Sequence, residues 1–424
     1  MKQKAPKSMR LHIGIFGRTN VGKSSLLNMI AGQNTALVSP IAGTTTDAVE
    51  KTMELLPVGP VVFIDTAGID DKSEIGELRV KKTEKIFEKT EIALIVAQAG
   101  IWGDWEENLL REFKKRKIPA LVIFNKEDLI DNKEEFAERI SKQNFKYIFT
   151  SACDSKKRDN TLEEIKKFIK DSLGENKEKT ILSHLISENG TAIFIIPIDK
   201  EAPKGRIILP QVMAIRDLLD ANKTSICITE KEWPSVLKKL SIKPDLVVCD
   251  SQVSDYMVKN APKELKCTTF SIIFSGFKGD MAEFARGAAR LEAVKPGDKI
   301  AILEACSHHP IEDDIGRIKL PKWLEKKAGG KLKIDIFAGR ELVENLSNYD
   351  FLINCGGCML TAKEMENRQN KSKEIALPMT NYGMAIGVCF GILERLLEPF
   401  PEILKEYLKE IKANSSKLKK PLRK

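Results

Sequence analysis

"LHIGIFGRTNVGKSS", residues 11–25, begins as an apolar run that reads as a buried strand and turns directly into G-x-x-x-x-G-K-S. The residues that follow, LLNMIAG, carry apolar positions at helical spacing. Strand, glycine loop and helix in that order predict an α/β domain of P-loop type, built on a mainly parallel sheet. Gly17 and Gly22 let backbone N–H groups turn inward, with Asn20 and Val21 between them. Lys23 is placed to reach β and γ phosphate oxygens, and the Ser24 hydroxyl, followed by Ser25, to complete a Mg²⁺ shell.

Four further segments extend the pattern. "AGTTTD" (42–47) is a hydroxyl-rich loop in which Thr45 is the candidate second Mg²⁺ ligand. "VVFIDTAG" (61–68) is a strand ending on Asp65 for the metal side, and the N–H of Gly68 can face a γ-phosphate. "LVIFNKED" (121–128) is a strand closing on Asn125, Lys126 and Asp128. A carboxylate at Asp128 can accept from both N1–H and N2–H₂ of guanine, donors that adenine lacks. "YIFTSAC" (147–153) supplies Ser151, Ala152 and Cys153 as a backbone loop for the guanine carbonyl. Five motifs in this order predict a GTP site, with Lys23, Thr45 and Gly68 as its catalytic groups.

Composition sets the frame around that domain. At 424 residues, with 42% hydrophobic and 30% charged residues, the chain predicts about three globular domains. We place a GTP-binding domain at 8–174, a small α/β middle domain at 180–264, a third α/β domain at 266–412 and a basic tail at 413–424. No apolar run approaches the ~20 residues needed to cross a bilayer, so a cytoplasmic protein with no membrane partner is expected. The net charge of +9 includes the tail "SSKLKKPLRK", expected to be a solvated terminus. Aromatic residues are only 6%, too few for base-stacking platforms, which argues against a nucleic-acid partner. Cys153, Cys227, Cys249, Cys267 and Cys389 lie singly in or beside apolar runs and read as small buried hydrophobes.

The middle segment alternates strands (191–198, 225–229, 245–250) with amphipathic stretches and carries no cluster of His, Asp or Cys. An assembly role fits it better than chemistry. In the third segment "DKIAILEACSHHP" (298–310) ends a strand on Cys306 and His308, and "YDFLINCGGC" (349–358) ends another on Cys355 and Cys358. The stretch "ELVENLSN" (341–348) between them reads as a helix. In an open α/β sheet, functional groups gather beyond the carboxyl ends of the strands. A redox dithiol leaves Cys306 and His308 without a role. Structural zinc has four N/S ligands to hand; an iron–sulfur cluster has three thiolates and a glycine turn that lets amides approach sulfur. Residue types leave both open, as well as unligated thiols.

Two resemblances add to this reading. "GTTTD" and "DTAGI" resemble the TrmE/Era-like GTPases, with Thr46 where that group has arginine and Ile69 in place of a water-orienting glutamine. The resemblance implies slow hydrolysis and a K⁺ ion held against the phosphates by Asn20, supplying the charge of an arginine finger. Across nearly the whole chain, "EACSHHP", "DDIGR" (313–317) and "NCGGCM" (354–359) resemble the FeFe-hydrogenase maturation GTPases, the HydF family. That likeness implies a 4Fe–4S cluster on Cys306, Cys355 and Cys358, with His308 a candidate fourth ligand. It also implies a homodimer through the middle domain, or a higher assembly, that carries a transient di-iron precursor from radical-SAM maturases to apo FeFe-hydrogenase. The family commonly has histidine where Asn354 stands, and an amide is a poor iron ligand. The competing reading is an RNA-associated GTPase of tRNA modification or ribosome assembly with a structural zinc site.

Overall fold

The structure, a computed structural model, describes residues 6–31, 49–66, 86–174, 179–198, 207–305, 315–339 and 345–418. The chain forms two compact units, Met1–Lys177 and Glu178–Lys424. Among the described residues no helix is long and apolar enough to cross a membrane.

In the first unit, β1 (Leu11–Phe16), β2 (Val49–Leu55), β3 (Gly59–Asp65), β4 (Ile92–Gln98), β5 (Ala120–Asn125) and β6 (Lys146–Phe149) form one sheet in the order β2-β3-β1-β4-β5-β6. Only β2 runs antiparallel to its neighbour. The four inner strands, β3, β1, β4 and β5, are apolar almost throughout because both of their faces are covered, as parallel sheets require. Alternate residues serve opposite cores: Ile13, Phe63, Leu94 and Ile123 pack on one side, and Val62, Ile95, Val122 and Phe124 on the other.

The second unit holds two four-stranded sheets. β7 (Thr191–Ile195), β8 (Thr224–Ile228), β9 (Leu246–Cys249) and β10 (Lys266–Thr269) lie in the order β10-β9-β7-β8. β11 (Lys299–Glu304), β12 (Lys333–Ala338), β13 (Phe351–Asn354) and β14 (Met379–Asn381) lie in the order β12-β11-β13-β14. Both sheets are wholly parallel. In each, the chain leaves the first strand towards one edge and later builds the other edge. The crevices where direction reverses lie between β7 and β9 and between β11 and β13.

Several expectations need adjustment. The middle sheet runs past the boundary placed at 264–266, because β10 pairs with β9 along Cys267↔Val247 and Thr269↔Cys249. The two segments also share one core, in which Val247 and Cys267 join Ile302, Leu352 and the helix Met281–Leu291. The described end of 341–348 is a 3-10 turn, Leu346–Asn348, not a helix; Asn345 before it takes a left-handed φ of 65°. Helix Pro401–Leu418 continues into the segment read as tail. Cys249 and Cys267 are buried, but Cys153 and Cys227 are exposed and Cys389 is half-buried. Burial pushes the Cys267 thiol up to about 11 and that of Cys389 to about 12, which leaves both protonated and inert at neutral pH.

Gly287, on the helix Met281–Leu291, packs directly against the backbone of β14. A Cβ there would lie 2.0 Å from Met379 O and 2.4 Å from Met379 C. Alanine gains about 1 kcal/mol in helix propensity, but backbone at that distance must move, at a cost of about 1–3 kcal/mol. Gly287→Ala is expected to lower Tm by a few degrees in thermal denaturation; an unchanged or raised Tm would contradict this packing.

Candidate functional site

The first site forms beyond the carboxyl ends of β1, β3 and β5. Lys23, 7% exposed, starts the helix Lys23–Ala31, and its ammonium donates to Gly17 O at 2.5 Å and Arg18 O at 2.8 Å. Asn20 sits at the turn of the loop with a left-handed φ of 63°. Ser24 Oγ donates to Asp65 Oδ2 at 3.0 Å, so the two residues assigned to the Mg²⁺ side already meet. That contact follows from register, since β1 and β3 pair Ile15 with Asp65.

Asn125 joins three motifs. Its Nδ2 donates to Val21 O at 2.8 Å and its Oδ1 accepts from Ala152 N at 2.8 Å. One buried amide thus fixes the glycine loop and the Ser151–Cys153 loop to the end of β5. Asp128 is exposed in the following turn, and the Ser151 hydroxyl hydrogen-bonded to its carboxyl holds it below the usual range. The neighbouring Glu127 is buried; burial alone would raise its pKa, yet Lys133 and Lys157 hold it lowered overall. Lys126 adopts φ 60° and directs Nζ to Gln98 Oε1 at 3.4 Å. Ser25 and Cys153 are exposed, and Gly22 is half-buried. Thr45 and Gly68 lie outside the described residues.

The second site is a cavity of about 220 Å³ in the second unit. Both reversal crevices open on it: Pro197 and Asp250 follow β7 and β9, while Glu304, Ala305 and Cys355 close β11 and β13. Phe270, Phe274, Ile208, Ile315 and Ile386 give it an apolar wall. Cys355 N donates to Leu303 O at 2.9 Å, continuing the ladder that pairs Leu303 with Asn354. Ala305 N in turn approaches Cys355 Sγ at 3.3 Å, a backbone donor aimed at sulfur. Gly357 carries the turn at φ 66°, and a Cβ on it would meet Met365 Cε at 2.5 Å. Cys358 lines the same cavity.

Cys306 and His308 lie outside the described residues. Residue 305, however, stands against the Cys355 sulfur, so the two strand ends that carry the cysteines are neighbours. Among the described residues no three His, Cys, Asp or Glu side chains gather at metal-binding distance. Two thiols on a glycine turn, with a main-chain donor beside one sulfur, suit iron–sulfur ligation.

Asn354 is fully buried and turned away from that role. Its Oδ1 accepts from Arg368 Nη1 at 2.6 Å and its Nδ2 donates to Cys355 O at 2.7 Å. Sequence reasoning missed several other groups here. Glu304 is 4% exposed and accepts from Arg317 Nε at 3.1 Å and Tyr382 Oη at 3.3 Å. Gln211 Nε2 donates to both Asp250 oxygens, at 3.1 and 2.9 Å. A charged residue ending an otherwise apolar strand was the available signal for Glu304; Gln211 and Tyr382 had none.

Three family profiles match the chain. One, described as 50S ribosome-binding GTPase, covers 12–126; the hydrogen maturase F dimerization domain covers 181–279, and the hydrogen maturase F tetramerization domain covers 282–399. The last two together span just over half of the chain. GTPase Era of Caldicellulosiruptor saccharolyticus is 29% identical over 249 residues, 54% of this chain and 80% of its own. GTPase Der of Wolinella succinogenes is 35% identical over 150 residues, 34% and 31% of the two chains. The tRNA modification GTPase MnmE of Endomicrobium trichonymphae is 39% identical over 124 residues, 28% and 27%. The chain therefore spans less than a third of the Der and MnmE relatives.

Removing the Asn125 amide would strand Val21 O in a buried setting and Ala152 N in a half-buried one, at about 1–3 kcal/mol. Asn125→Ala is expected to lower the melting temperature of the first unit and weaken nucleotide binding in calorimetry. Wild-type values for both would remove Asn125 from its joining role.

Proposed function

The chain belongs to the hydrogen maturase F family, and from that premise we propose that it is a GTP-hydrolysing scaffold whose second unit holds an iron–sulfur cluster beside a cavity for di-iron cargo. The observation that carries this reading is the meeting of two strand ends, with Ala305 N against the Cys355 sulfur and both CGGC thiols on one cavity. Cys306, Cys355 and Cys358 would hold a 4Fe–4S cluster. Three protein thiolates leave one iron with an exchangeable position, which is the chemistry such a cluster supplies to incoming cargo. The apolar wall excludes water, while Glu304 and Asp250, each held by hydrogen bonds, offer fixed acceptors on the same cavity as the cysteines. Asn354 is already bonded at both ends of its amide, which takes it out of the contest for the fourth ligand.

In the first unit Lys23, Ser24 and Asp65 form the phosphate and Mg²⁺ side, and Asp128 with the Ser151–Cys153 loop the guanine side. Thr45 and Gly68 complete it as the switch groups that answer to the γ-phosphate. Asn20 would place a K⁺ ion against the phosphates. The cation would stand in for an arginine finger, since Ile69 occupies the glutamine position. The family profiles on the second unit are oligomerisation domains, so the carrier works as an assembly of copies. Radical-SAM maturases would supply the precursor and apo FeFe-hydrogenase would receive it. GTP binding can bias that exchange only through contacts that differ between nucleotide states.

Anaerobically prepared protein is expected to contain iron and acid-labile sulfide. Cys355→Ala should lose most of both and all maturation activity while its GTP hydrolysis stays near wild type. A colourless, zinc-containing wild type would instead favour the RNA-associated reading with a structural zinc site. Hydrolysis should also run several-fold faster in KCl than in NaCl, and equal rates would remove K⁺ from the mechanism.

A further inference from the structure

Two buried basic side chains hold the loop that bears Cys355 and Cys358, one directly through its main chain and one through Asn354. Lys278, 3% exposed, closes the helix Phe270–Lys278. Its ammonium donates to Cys358 O at 3.0 Å and also to Leu360 O. Arg368, 1% exposed, lies on the helix Ala362–Glu374. Its Nη1 donates to Asn354 Oδ1 at 2.6 Å and its Nη2 to Gly339 O at 3.1 Å, and Asn354 passes the contact on to Cys355 O at 2.7 Å. One cation thus grips the entrance of the loop through Asn354, the other its exit.

Neither side chain lines the cavity, so neither is placed to touch cargo. Their common feature is position: each bonds the backbone, directly or through one amide, of a residue that carries a thiol. Burying a lysine or arginine is costly unless its surroundings stabilise the charge. Thiolates around an iron–sulfur core carry net negative charge, and each added electron increases it. A cation held in a low-dielectric interior acts on that charge far more strongly than one in water. Net charge and hydrogen bonding around the sulfurs are what set the potential of such a centre.

We propose that Lys278 and Arg368 are positioning residues for the cluster, a pair of buried cations that clamp the Asn354–Leu360 loop at its two ends and favour the reduced state. This rests on the iron–sulfur reading above. Asn354, where the family commonly has histidine, then serves as the link that carries Arg368 to the loop.

The test uses full-length protein reconstituted anaerobically with iron and sulfide, with midpoint potentials read by EPR-monitored titration. Lys278→Gln is expected to shift the potential downward, so that the reduced-to-oxidised ratio at a fixed potential falls about tenfold, about 59 mV for a one-electron couple. Lys278→Arg and Arg368→Lys, which keep the charges, should stay near wild type. Asn354→Asp keeps the shape beside Arg368 but sets a carboxylate against it, and should also lower the potential. If Lys278→Gln does not fold, Asn354→Asp decides the matter alone. Unchanged potentials would overturn the proposal while leaving the cluster reading intact. An equal fall in charge-keeping and charge-removing variants would overturn it too, since contacts rather than charges would then be responsible. A wild type that takes up no iron overturns the cluster reading itself, a distinct failure.

Discussion

The parallel pairing of β11 with β13 is the constraint from which the second unit's chemistry follows. Strands separated by about fifty residues of chain are set side by side in register, Leu303 opposite Asn354, and their carboxyl ends must therefore finish together. The bond from Cys355 N to Leu303 O carries the ladder one step past the strand, and Ala305 N then meets the Cys355 sulfur. A slip of one residue would turn Cys355 to the other face of the sheet and separate it from the cavity. Ladder hydrogen bonds and buried apolar residues on both faces hold the register, so the thiols are placed by the same packing that makes the unit stable.

The same logic serves the first unit with different chemistry. Parallel pairing of β1 with β3 brings Asp65 beside Ser24, and β5 delivers Asn125 to the back of the glycine loop. In both units an amide does the joining: Asn125 ties the glycine loop to the guanine side, and Asn354 ties the cysteine turn to Arg368. An amide can donate and accept at once. It can thus couple two backbone segments without burying a charge of its own. The two units use one architectural rule, crevices at strand ends where connections reverse, to make a phosphate cradle in one place and a thiol-bearing cavity in the other.

Much of this was legible along the chain. The glycine loop, the N-K-x-D run and the serine loop are local motifs, and the strands that present them are short apolar runs with clear ends. The CGGC turn announced itself in the same way, as did Cys306 at the end of a neighbouring apolar run. Less local features were harder. Cys153 and Cys227 sit beside strand-like runs yet are exposed, because β8 lies at the edge of its sheet and Cys153 belongs to a surface loop. β10 looked like the opening of a new domain and instead completes the middle sheet, since its partner β9 lies upstream.

The sequence by itself determined the order of motifs, the parallel α/β character of each segment and the residue types available for phosphate and for metal. These depend on interactions within a few residues, where spacing and periodicity are direct physical signals. Only the tertiary structure decided that the middle and third segments share one core and one cavity, and that Asn354 faces Arg368 rather than the cavity lined by Cys355 and Cys358. It alone brought Lys278 and Arg368 to the two ends of the Asn354–Leu360 loop, and Tyr382 to Glu304 at the end of β11. Contacts between residues tens of positions apart come from sheet register and helix packing, where energy is spread over many side chains and no single stretch of chain records the outcome.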